Sequence, residues 1–205
     1  MFALVESGSI TKFLNGNKGI QIGDLKYPRA IYTLWTEAER NAIGIYSIVY
    51  DDTNKKDEQW YINTNQSYAF ANNKVTATYG SATAKAHADT NFTAEDEEDG
   101  KGTEGEVATR GLKYNLIQTV KAQAAGELAK TDWYITRKTE KNTAIPSAIT
   151  THRNLVRSRQ AAMETSITNA SDTPALETLY TYVNTADEGD PIVMARPLVK
   201  IPTLE

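Results

Sequence analysis

The chain has no cysteine among its 205 residues. That excludes disulfides, thiolate metal sites and a cysteine nucleophile, and it leaves the redox compartment open. Histidine is nearly absent too. His87 and His152 are the only two, far apart in sequence, so paired imidazole ligation of a metal has no support. A basic excess is also missing: the net charge is −4. A dedicated nucleic-acid binder needs a positive surface to neutralise phosphates, so that class is set aside. No apolar run approaches the roughly 20 residues that cross a bilayer. The first residues, MFALVESGSITKF, lack the basic and long apolar stretches of a secretory signal. What remains is 40% hydrophobic residues, enough for a modest core, in a chain long enough for one domain or two small ones.

Composition divides the chain into four parts and predicts an α+β protein. Residues 1–86 are rich in Tyr, Ile, Val, Thr and Trp with frequent turn signals, which is β composition with room for one short helix. Residues 87–106 are acidic, Gly-containing and poor in apolar side chains, and are expected to be a flexible linker. Residues 107–185 carry helical periodicity and predict an antiparallel hairpin with a short third helix. Residues 186–205 hold Pro191, Pro197 and Pro202. Proline fixes φ and withholds a donor, so this tail is expected to be extended.

Local signals refine the first part. Gly8 fits a hairpin turn between Met1–Val5 and Ser9–Phe13. An extended segment is expected from Tyr27-Pro28 to Trp35. Thr36 and Glu39 have capping-box spacing, and Gly44 suits the position just past a helix end. Asn72-Asn73 suits a turn between strands, because Asn tolerates positive φ.

In the helical part Leu112, Leu116, Val120, Ala124 and Leu128 recur every four residues, with Ile117 and Ala125 beside them. Ile145, Ile149, Val156, Met163 and Ile167 supply the facing stripe, and Pro146 suits its first turn. Thr173-Pro174 starts a third helix. Between the first two helices a polar connection is expected, with Trp133 and Tyr134 buried at the corner as structural anchors alongside Trp35 and Pro146.

Few residues suggest chemistry. The run Glu95-Asp96-Glu97-Glu98-Asp99 lacks the alternating ligands and distal Glu of a calcium loop. Gly100, Gly102 and Gly105 do not lie between a strand and a helix, so they make no phosphate loop. No nucleophile elbow or Ser–His–Asp set stands out. The chain therefore reads as non-enzymatic, with no cofactor and no metal. Arg153, Arg157 and Arg159, with Lys138 and Lys141, form a small basic patch suited to local carboxylates or a protein partner. The aromatic residues, Trp60 above all, leave room for a glycan-binding surface. The candidate protein contacts are Ile192, Val193, Leu198, Val199 and Ile201 of the tail, with Trp60, Arg153 and Arg157. An apolar tail of this kind either folds back on its own subunit or enters a neighbour.

Two blocks carry a resemblance. The first is YPRAIYTLWTEAERNAIGIYSI, with Pro28, Tyr32, Trp35, Thr36, Glu37, Glu39, Ile43, Gly44, Ile45 and Tyr46. The second begins at Gly111 and includes Leu112, Lys121, Thr131, Asp132, Trp133, Tyr134, Arg137, Ile145, Pro146, Arg153 and Arg157. In this order they resemble a group of bacteriophage tail-associated proteins, over residues 25–170. The resemblance implies no enzymatic activity. It implies a virion structural protein of the tail or tail fibre, present in several copies, contacting other tail or fibre subunits and passing through the host cytoplasm during assembly. An assembly factor that leaves before the particle matures is the alternative, and a receptor- or glycan-binding module the weaker one.

Overall fold

A computed structural model describes residues 1–204. The fold is α+β, with a mostly β first part and helices after it. The chain forms two compact units that divide after Thr83.

The first unit contains β1 (Phe2–Glu6), β2 (Ser9–Leu14), β3 (Ile20–Ile22), β4 (Leu25–Tyr27), α1 (Ile31–Leu34), α2 (Glu37–Ala42), β5 (Ile45–Asp51), β6 (Tyr61–Ile62), β7 (Ser67–Ala71) and β8 (Lys74–Thr78). Strand β9 (Thr83–Ala84) lies at the junction. Five strands form one sheet in the order β2-β1-β5-β8-β7, with β5 and β8 parallel and the other pairs antiparallel. Ser7 and Gly8 turn β1 into β2 at φ of 50° and 78°. Asn72 and Asn73 do the same between β7 and β8 at 51° and 58°. Two successive positive φ values match the right-handed twist of hairpin strands, which explains why Gly and Asn stand there. The sheet curls until its edge strands approach, and the Phe13 and Tyr68 rings sit 4.6 Å apart.

Both faces of the sheet are covered. Ala3, Val5, Ile48, Val75 and Ala77 pack on one. Leu4, Leu14, Ile20, Ile31, Tyr32 and Ile45 pack together in a second core. Double coverage explains the unbroken apolar run at Phe2–Val5, where a one-sided sheet would alternate. The capping box of α2 is formed: Thr36 Oγ1 accepts from the Glu39 amide at 3.3 Å, and Glu39 Oε2 accepts from the Thr36 amide at 2.7 Å. Gly44 follows at φ 80°, and a Cβ there would lie 2.6 Å from the Val5 carbonyl. The expected extended run to Trp35 is corrected. Ile31–Leu34 makes one helical turn, started by Ile31 and Tyr32 amides donating to the Pro28 and Arg29 carbonyls. That turn drives Ile31 and Tyr32 into the core.

The second unit contains β10 (Thr90–Asn91), α3 (Ala94–Glu98), β11 (Val107–Thr109), α4 (Leu112–Ala129), α5 (Asp132–Lys141), α6 (Ser147–Asn169), α7 (Thr173–Tyr180), β12 (Val183–Asn184) and β13 (Met194–Ala195). Helices α4 and α6 pack antiparallel: Lys113 Nζ at the start of α4 donates to the Thr168 carbonyl at the end of α6. Val120 and Ala124 of α4 are buried, as are Ile149, Val156, Met163 and Ile167 of α6. The four-residue repeat of α4 outruns the 3.6-residue turn by about 40° per step. Its ends therefore rotate off the contact, and Leu112, Leu116 and Leu128 are only half-buried. Glu127 is buried in place of an apolar residue.

The segment 87–106 is folded, not an unstructured linker. β10 pairs with β11, and α3 between them carries its own capping box, Thr93 with Asp96. The preceding residues cap α4, which has no side-chain cap of its own. The Leu112 and Lys113 amides donate to the Ala86 and His87 carbonyls, and the Gly111 amide donates to Asp89 Oδ1 at 2.7 Å. Strand pairing and a local cap, with His87 and Asp89 accepting from orphan helix donors, order this stretch.

Candidate functional site

The most elaborate side-chain arrangement lies in the second unit, where α4 ends. The residues between the two long helices were expected to be a polar connection. Instead Asp132–Lys141 form α5, after a break at Thr131. Asp132 in the first turn and Lys138 and Lys141 in the last complement its dipole, and Asn142 ends it at φ 52°. Arg153 of α6 holds the break. Its Nη1 donates to the Leu128 carbonyl at 2.8 Å and to Thr131 Oγ1 at 2.7 Å, and lies 2.8 Å from Asp132 Oδ1. A last-turn carbonyl of α4 thus gains a charged donor. Arg153 is buried, so its expected place on a contact surface is corrected. An arginine here satisfies a helix end that no apolar residue could.

One turn away, Glu127 joins three segments. Its Oε2 accepts from Lys130 Nζ at 2.5 Å, and its Oε1 accepts from the Leu204 amide at 2.6 Å. His152 Nε2 of α6 stands 3.2 Å from Oε1 but off the line of a hydrogen bond. The Lys130 ammonium first, and the Leu204 amide after it, hold the Glu127 carboxyl below its ordinary value. A groove of about 630 Å³ opens here, with Glu127 and Lys130 on one wall and Arg196 and Lys200 of the tail on the other.

The tail docks on its own unit at a few points. Leu198 is 2% exposed, and its amide donates to the Leu179 carbonyl at 3.0 Å. Ile201 is half-buried. Ile192 is 75% exposed, and Val193 and Val199 are exposed as well. The expected extended tail contributes one strand of a short hairpin, β13, which pairs with β12 just before the tail. Of the five tail residues expected to act together, the structure therefore buries one and leaves three open.

The aromatic expectations divide. Trp35 is half-buried against the second core and meets Tyr27 edge-on at 5.9 Å, as an anchor should. Trp60 is buried in the first unit, so it is a core residue and not a contact or sugar platform. Trp133 is 52% exposed, which corrects its expected burial. Its ring lies 3.8 Å from that of half-buried Tyr134, and the Arg137 guanidinium sits 4.7 Å above it. The extra helix explains this: α5 turns Trp133 onto its own surface, whereas a loop could have folded it into the corner. Pro146 precedes α6 as its N-cap, and Arg157 is exposed.

Among the described residues no group of three or more His, Asp or Glu is placed to hold a metal ion, and no helix is long and apolar enough to cross a membrane. The sequence matched no protein-family model, and neither a curated protein nor a solved structure matched it.

Proposed function

We propose that this chain is a non-enzymatic structural component of a bacteriophage particle, part of the tail or its fibres, and works through protein–protein contacts. The reading rests on the two sequence blocks that resemble phage tail-associated proteins. The observation that carries it furthest is the C-terminal segment. Leu198 fastens it to the helices while Ile192, Val193 and Val199 face outward. Soluble monomers rarely expose apolar clusters without a binding role. The polar residues that could suggest chemistry are engaged in holding the chain together: Arg153 on the end of α4, and Glu127 on Lys130 and Leu204. Exposed Trp133 beside Arg137 adds the residue types that dominate protein interfaces. Quantitative mass spectrometry of purified particles tests the proposal. A structural component is present at fixed stoichiometry with known tail proteins. Presence in the lysate and loss on purification would identify an assembly factor instead.

A further inference from the structure

We infer that the β12–β13 hairpin is a self-pairing arm, whose partner is the same hairpin of a second copy of this chain. The hairpin is only two residue pairs long, Val183 with Ala195 and Asn184 with Met194. It forms a sheet of two strands, so each strand has an outer edge with no further strand on it among the described residues. Isolated two-stranded hairpins are marginal in water and gain stability from added strands. This one is tied down internally by Asn184, whose Oδ1 accepts from the Ala186 and Val193 amides at 3.1 and 3.0 Å. The shape is thus fixed while Val183, Ile192, Val193 and Met194 stay exposed.

Charge identifies the occupant. The tip carries Asp187, Glu188 and Asp190, all exposed. The open end carries Arg196 and Lys200, which flank Tyr182 at 5.7 and 5.5 Å from its ring. A two-fold axis pairs a surface with itself in opposite directions. Two hairpins side by side in that way place each acidic tip against the other's basic end, twice per dimer. Exposed Ile192 and Val193 beside each tip are then set against exposed Tyr182 and Val199 at the other's open end. Parallel stacking instead sets like charges together, and end-to-end stacking matches only one tip with one end. The arm is therefore self-complementary in one arrangement.

Sedimentation velocity of the full chain tests this. The parent is expected to be a dimer at micromolar concentration, weakened by salt as screened charge pairs are. Ile192→Asp is expected to raise the dimer dissociation constant by at least about tenfold, which is about 1.4 kcal/mol. A tip-reversed chain (Asp187→Lys, Glu188→Lys, Asp190→Lys) and an end-reversed chain (Arg196→Glu, Lys200→Glu) each carry one sign throughout the arm. Each alone is expected to be monomeric, and the two mixed are expected to form a heterodimer. Circular dichroism checks that each remains folded; if the end-reversed chain does not, Lys200→Glu alone takes its place. A monomeric parent, a dimer indifferent to Ile192→Asp, or folded variants that fail to associate on mixing would overturn the inference. The inference shares exposed Ile192 and Val193 with the virion reading, but the two fail separately. A monomer found at fixed stoichiometry in particles sinks the arm alone, and a dimer missing from particles sinks the virion component alone.

Discussion

Arg153 on α6 donates to the carbonyl of Leu128 on α4 across 2.8 Å, and so fixes where the first long helix stops. The same nitrogen reaches Thr131 Oγ1, which in turn donates to the Leu128 carbonyl at 3.0 Å. Arg153→Met keeps the apolar stem and removes the donor. Hydrogen bonds from charged groups contribute about 1.5–3 kcal/mol, so the helical unit is expected to lose about that much in chemical denaturation. Asp132→Asn, which touches only the exposed side of the same cluster, is expected to lose less than about 1 kcal/mol. Equal losses from the two would contradict the assignment of Leu128 and Thr131 as the important partners.

The antiparallel pair of long helices depends on a narrow stripe. Ile167→Ala removes a fully buried side chain and is expected to cost about 2–5 kcal/mol. Leu155→Ala lies off the stripe and is expected to stay within about 0.5 kcal/mol. Urea denaturation followed at the helical signal distinguishes them.

Trp133 is expected to matter little for stability. Its contacts are one tyrosine ring and one guanidinium at the surface, and exposed cation–π pairs contribute about 0.5–1 kcal/mol. Trp133→Ala should lower the unfolding free energy by no more than about 1 kcal/mol. A loss of several kcal/mol would mean that the ring is covered in solution.

The Glu127–Leu204 contact gives the tail a pH dependence. The folded carboxyl titrates below its ordinary 4.5, since Lys130 and the Leu204 amide favour the charged form. Its contribution to tail docking is therefore fully present above pH 4.5 and is lost as pH falls through the lower, folded value. In solution NMR the Leu204 amide proton should titrate with a midpoint below 4.5. Glu127→Gln should abolish that titration and, at neutral pH, speed tryptic cleavage after Lys200. An unchanged Leu204 titration in Glu127→Gln would show that another group holds the tail.

Much of this fold was legible where a residue type meets a single backbone demand. Thr36 with Glu39, Gly44, and the Asn72-Asn73 pair each satisfy a local rule, and each stands where that rule places it. The buried stripe of α6 was legible for the same reason, because period and burial coincide. What was not legible depends on partners distant in sequence. Composition marks 87–106 as unable to fold by apolar burial, yet the His87 carbonyl and the Asp89 carboxylate accept from the amides at the start of α4. The Thr93–Asp96 capping box was the available signal. Helix α5 carries too little apolar pattern to be separated from a loop, although Asp132, Lys138, Lys141 and Asn142 stand at its ends in the right polarity. Arg153 looked like surface charge because nothing in the sequence reveals that α4 stops at its level. The tail residues were legible as an apolar group; that Leu198 would be buried against the helices while Ile192, Val193 and Val199 stay exposed was not, since their spacing is the same in either case.

Electron microscopy of purified particles carrying a tagged copy of this chain tests its place in the virion most directly. Label is expected on the tail or its fibres at a repeating position. Label confined to the capsid, or none on particles whose lysate contains the tagged protein, would contradict it.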